Sequence, residues 1–127
     1  MMKLQFLPDG SPDCPLIRLY DFEAAEVREL KDLFDSLAAG SRTDISLHEQ
    51  KGIESVDGCQ LNLRVGSRDT GIVQKGPFAF ECDLTPARWA DVASLTGTLG
   101  EPAEANTYQW LNEDGQISLL LSPNGMW

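Results

Sequence analysis

Two runs, Cys59-Gln-Leu-Asn-Leu-Arg-Val65 and Phe78-Ala-Phe-Glu-Cys-Asp-Leu84, share a pattern that governs the reading of the chain. In the first, Cys59, Leu61, Leu63 and Val65 have one parity and Gln60, Asn62 and Arg64 the other. In the second, Phe78, Phe80, Cys82 and Leu84 alternate with Ala79, Glu81 and Asp83. A period of two is the mark of a half-buried strand. The turn formers Gly66-Ser-Arg-Asp-Thr-Gly71 lie between the runs, and they predict an antiparallel hairpin. That hairpin would bring Cys59 and Cys82 close together on the buried face.

Upstream, Lys3 to Leu7 alternates, with Leu4 and Phe6 on one side, and Pro8-Asp9-Gly10 ends it as a turn. Leu16 to Tyr20 is more continuously apolar, which predicts a more central strand. Asp21 is then placed to cap a helix from about residue 22 to about residue 39. Its apolar stripe is Val27, Leu30, Phe34 and Leu37, widened by Leu33 and Ala38, and Gly40 stands where the helix should stop. Glu23, Glu26 and Glu29 fall in the early turns, where the helix dipole favours anions. Thr43 to His48 predicts a third strand, with Ile45 and Leu47 inward and Asp44, Ser46 and His48 outward. Asp57-Gly58 is a turn or a bulge before the central strand.

Downstream, Thr85-Pro86 predicts a helix start, because threonine caps free amides and proline is tolerated at the first helical position. Leu84 and Trp89 hold the positions of a hydrophobic staple. Trp89, Val92 and Ala93 form a short stripe extended by Leu95 or Thr96; Gly97 and Gly100 bracket its end, and 101–105 reads as a loop. A two-residue turn at Asp114-Gly115 predicts a last hairpin with Trp110 opposite Leu119 and Tyr108 opposite Leu121. Trp127, near the end of Ser122-Pro-Asn-Gly-Met-Trp127, either folds back over a sheet edge or anchors a partner.

The expectation is one α+β domain over 1–127, a mainly antiparallel sheet of five to seven strands with two amphipathic helices packed on one face, in the order ββαβββαββ. Its 127 residues suffice to bury roughly two-thirds of the unfolded surface. Hydrophobic residues at 42% make the chain too apolar for disorder.

Charge excludes some functions. Twenty Asp and Glu against ten Lys and Arg give a net charge of −10, and no lysine or arginine follows Arg88. Nucleic-acid binding needs clustered cations, so neither nucleic acid nor an anionic membrane is an expected partner. No apolar run approaches the ~20 residues that span a bilayer. The N-terminus lacks a secretory pattern, so the expected location is cytoplasmic. Cys14, Cys59 and Cys82 show no C-x-x-C spacing, and Cys59 and Cys82 are expected to be reduced, buried side chains, with a disulfide between them as the alternative.

Little chemistry is written in the chain. His48 is the sole histidine, and its parity points it away from Cys59 and Cys82, against a zinc site. Cys14 has Asp13 beside it, an anion that disfavours a thiolate. Asp9 with Asp13, and Asp32 with Asp35, read as solvated surface. Asp57-Gly58 and Asn112-Glu-Asp-Gly115 lack the ligand alternation of a calcium loop. No phosphate loop, dinucleotide turn or nucleophile elbow occurs. No cofactor and no metal site are expected. Two surfaces remain: the polar sheet side, where Gln60, Asn62 and Arg64 would face Glu81 and Asp83, and the acidic C-terminal third. Candidate binding residues are Gln60, Asn62, Arg64, Tyr108, Trp110 and Trp127. The sequence thus favours a non-enzymatic acidic intracellular protein-interaction domain: a homodimer, an adaptor or an inhibitor of a basic partner. The alternative is a small-molecule-binding domain or minor enzyme with its pocket between sheet and helices, walled by Trp89, Trp110 or Tyr108 and using His48 or Cys14.

Overall fold

The computed structural model describes residues 1–9, 12, 13, 15–99, 108–123 and 125. Trp127, Cys14 and the loop expected at 101–105 lie outside the described residues. In chain order the elements are β1 (Met2–Leu7), β2 (Leu16–Tyr20), α1 (Ala24–Ala38), β3 (Asp44–Ser46), β4 (Ile53–Ser55), β5 (Gln60–Val65), β6 (Gly71–Gly76), β7 (Ala79–Leu84), α2 (Pro86–Gly97), β8 (Gln109–Asn112) and β9 (Ser118–Leu121). The class is α+β, but the strands form two sheets rather than one. The first has the order β4-β1-β2-β9-β8 and the second β3-β5-β7-β6. Both are mixed rather than mainly antiparallel: β1 runs parallel to β4, β2 to β9, and β5 to β7.

The expected central hairpin is therefore corrected. Gly66 to Thr70 does not return the chain onto β5; Gly71–Gly76 forms a further strand that pairs antiparallel with β7. That extra reversal leaves β7 parallel to β5. The parallel register sets Leu63, not Cys59, opposite Cys82, so the two cysteines are not cross-strand neighbours. Both are buried free thiols. Phe78, expected inward, lies before β7 at the tip of the β6–β7 connection and is 50% exposed.

Faces follow the alternation more closely. Leu61, Leu63, Phe80, Cys82 and Leu84 enter one core with Leu4, Ile17, Leu19 and Leu119 of the first sheet. Phe6 and Phe80 bring the sheets together at a ring separation of 4.5 Å. The helices complete this core: Val27, Leu30, Phe34 and Leu37 are buried on α1, and Trp89, Val92, Ala93 and Thr96 on α2. Phe34 stacks on Trp89 at 5.7 Å. Each such large apolar side chain contributes about 1.5–3 kcal/mol on full burial.

Helix α1 starts later than its sequence suggests. Asp21 adopts a φ of 56° and donates its amide to Pro123 O, while Glu23 is the N-cap and exchanges bonds with Glu26 in a capping box. Helix α2 starts as read: Thr85 Oγ1 accepts the Arg88 amide, and Pro86 opens the first turn. The third strand ends at Ser46, and Leu47–Glu49 forms a single 3-10 turn. Asp57 and Gly58, both at positive φ, form a turn closed by the Cys59 amide on Val56 O. That turn carries the chain from the first sheet to the second.

The last hairpin has another register. Gln109 pairs with Leu121, Trp110 with Leu120 and Asn112 with Leu119, with a bulge between Trp110 and Asn112. Trp110 and Leu119 consequently lie on opposite faces. Two causes are visible. Leu119, Leu120 and Leu121 are all buried, so β9 has no polar face to set its register. The 113–117 segment also does more than turn: Ile117 bridges to Ile72, and Gly115 packs on Thr70–Gly71. At Gly71, with φ 80°, a Cβ would lie 2.1 Å from Asp114 O, so only glycine allows this backbone crossing between the sheets.

Candidate functional site

The second sheet buries one face and leaves the other open. On that outer face Asp44 stands opposite Arg64 and Ser46 opposite Asn62 across β3–β5, while Asn62 stands opposite Glu81 and Arg64 opposite Asp83 across β5–β7. The expected row of Gln60, Asn62 and Arg64 thus does adjoin Glu81 and Asp83. Gln60 is exposed at the start of β5. Arg64 lies 3.5 Å from Glu81 and 3.8 Å from Asp83, and Lys75 from β6 reaches Glu81 at 3.6 Å. Ser46 Oγ donates to Asn62 Oδ1 at 2.8 Å. Asp44, Ser46, Asn62, Arg64 and Glu81 line a shallow depression there. Exposed ion pairs of this kind add little stability, about 0–1 kcal/mol each.

Supports for this face come from beneath and beside it. Trp89 Nε1 donates to Arg64 O at 3.0 Å, tying β5 to α2 through the core. His48 Nδ1 accepts the Leu61 amide at 3.1 Å, where β3 has already ended. The imidazole therefore replaces a missing strand partner, and Nδ1 must be unprotonated to do so. Asp69 Oδ1 accepts both the amide and the hydroxyl of Thr85, at 2.9 and 2.8 Å. Those two bonds hold the Asp69 carboxyl below its usual range, with nearby Arg88 adding to the effect. Arg88 also reaches Asp114 at 3.1 Å, joining α2 to the last hairpin.

The remaining candidates do not converge on that face. Trp110, half-buried, lines a cleft with Arg88, Asp91 and Leu95 of α2, and exposed Tyr108 meets its ring edge-on at 6.4 Å. Trp89 is fully buried, so it walls no pocket. Trp127 lies outside the described residues.

A groove between α1 and the β4 edge of the first sheet escaped the sequence reading. Its floor includes Met2, Leu30, Leu33 and Ile53, and Glu26, Glu29 and Asp32 stand around it with Lys51. The three-residue spacing of Glu26, Glu29 and Asp32 was a usable signal, but it also fits the ordinary solvated side of an amphipathic helix.

Reactive groups are scarce among the described residues. Burial pushes the Cys59 thiol up to about 11, and burial together with Asp83 and Asp114 pushes the Cys82 thiol up as well. Neither is a thiolate nucleophile at neutral pH. Among the described residues no three His, Cys, Asp or Glu side chains are grouped to hold a metal. No helix among them is long and apolar enough to cross a membrane. Comparison with known proteins found no matching family model, no matching curated protein and no matching solved structure.

Proposed function

We infer that this is a non-enzymatic protein-interaction domain that docks through the outer face of the second sheet. One observation carries the reading: the parallel pair β5–β7 forms the middle of that sheet, yet no described element covers its outer side. Parallel strands are ordinarily covered on both faces. A protein surface laid over Gln60, Asn62, Arg64, Glu81 and Asp83 would complete the missing layer. The ladder carries both signs of charge, which suits a second copy of the chain as well as a different protein.

The test is a photo-crosslinking side chain at Gln60, which is exposed on this face, introduced in the cells that make the protein. A crosslink to one discrete protein or to a second copy, lost when Arg64 is replaced by alanine, supports the reading. Absence of any discrete product, with the same probe at Gln116 as control, overturns it.

A further inference from the structure

We propose that the groove between α1 and β4 is a second binding site, which receives a lysine or arginine side chain from a basic protein partner. It shares no residue with the outer face of the second sheet, so it stands or falls independently of that reading.

Shape comes first. The groove holds about 280 Å³, below the ~300–1,000 Å³ of small-molecule sites, and so suits one long side chain rather than a cofactor. Its floor is apolar: Met2 and Leu30 are buried, and half-buried Leu33 and Ile53 leave hydrocarbon facing the opening. A lysine or arginine has the matching form, an apolar stem ended by a cation.

Charge then selects the cation. Glu26 is already engaged, accepting the Met2 amide at 2.7 Å and the Glu23 amide at 3.1 Å. Glu29 and Asp32 make no hydrogen bond or ion pair among the described residues, and both stand at the groove. Glu29 reaches over the 50–53 turn, with Oε2 4.0 Å from where a Cβ on Gly52 would stand. Lys51 is the opposing charge on the rim, and it too makes no ion pair among the described residues. Glu26 also borders an adjoining depression with Asp21, Glu23 and Glu54, extending the negative surface, although Lys3 lies there as well. The net charge of −10 would draw a basic partner from a distance.

The probe is n-butylguanidinium, titrated into the full ¹⁵N-labelled chain, with n-butanol as stem alone and guanidinium chloride as charge alone. Saturable shifts should centre on the amides of Leu30, Leu33, Gly52 and Ile53. Neither control should reproduce them. The exposed double variant E29Q/D32N should bind about threefold or more weakly, and K51Q should bind more tightly. Equal response to n-butanol, shifts spread without saturation over all acidic surface, or unchanged binding by E29Q/D32N would each overturn the proposal.

Discussion

The two sheets share one core but finish their outer faces differently. In the first, Leu16 and Leu120 are buried on the side away from Ile17 and Leu119, and Arg18 closes the same side. Its guanidinium donates to Gln5 Oε1 and to Gly125 O, and lies 4.2 Å from the Tyr20 ring centre. In the second, the outer side is a polar ladder in which Arg64 remains 52% exposed. The outer side of the first sheet thus carries buried leucines beside half-buried Lys3, Gln5, Arg18 and Tyr20, whereas the outer side of the second is polar throughout β5. Leucines buried on the outer side add to stability at β2 and β9, and the polar ladder of the second sheet adds little.

The largest expected effect lies at the buried outer leucines of the first sheet. Leu120→Ala should cost about 2–5 kcal/mol in urea unfolding, whereas Asn62→Ala on the open face should change stability by no more than about 0.5–1 kcal/mol. Similar losses at the two positions would erase the distinction between the sheets. Next comes their junction. Gly71→Ala adds a Cβ against Asp114 O at positive φ and should cost about 2–3 kcal/mol, with increased amide exchange at Ile72 and Ile117. A neutral outcome would show that the crossing is loose.

His48→Ala should be milder, about 1–3 kcal/mol, because it leaves the Leu61 amide without its partner. Faster exchange at Leu61 with little change at Leu19 would place the loss in the second sheet. The smallest effect is acid-dependent. The folded pKa of Asp69 is lowered, so its contribution is present above the unfolded value near 3.8 and is lost as pH falls through the folded value. Unfolding followed from pH 5 to pH 2.5 should therefore show a steeper acid loss in the wild type than in Asp69→Asn. Parallel curves would remove Asp69 as the acid-sensitive support of α2.

The comparison also explains what could be read from sequence. Alternation correctly sorted Gln60, Asn62 and Arg64 from Leu61 and Leu63, because the second sheet is wet on one side only. It could not give strand direction, since the parity of β7 is the same whether it runs parallel or antiparallel to β5. Strand β6 was missed because Ile72-Val73-Gln74-Lys75 has little alternation and is bounded by glycines. In β9, burial on both sides made Leu119, Leu120 and Leu121 indistinguishable by pattern. The groove was hidden for another reason: its floor joins α1 to Met2 and Ile53, which no local spacing links.

The open face is tested most directly by measuring two properties of one variant, Arg64→Ala: its unfolding free energy and its crosslink yield from Gln60. The Trp89 bond goes to the main-chain carbonyl of Arg64 and survives the change. The predicted result is stability within about 1 kcal/mol of wild type together with loss of the crosslinked product. A variant destabilised by more than about 2 kcal/mol whose remaining folded fraction crosslinks as before would contradict it, making Arg64 a structural residue and the face a solvated surface.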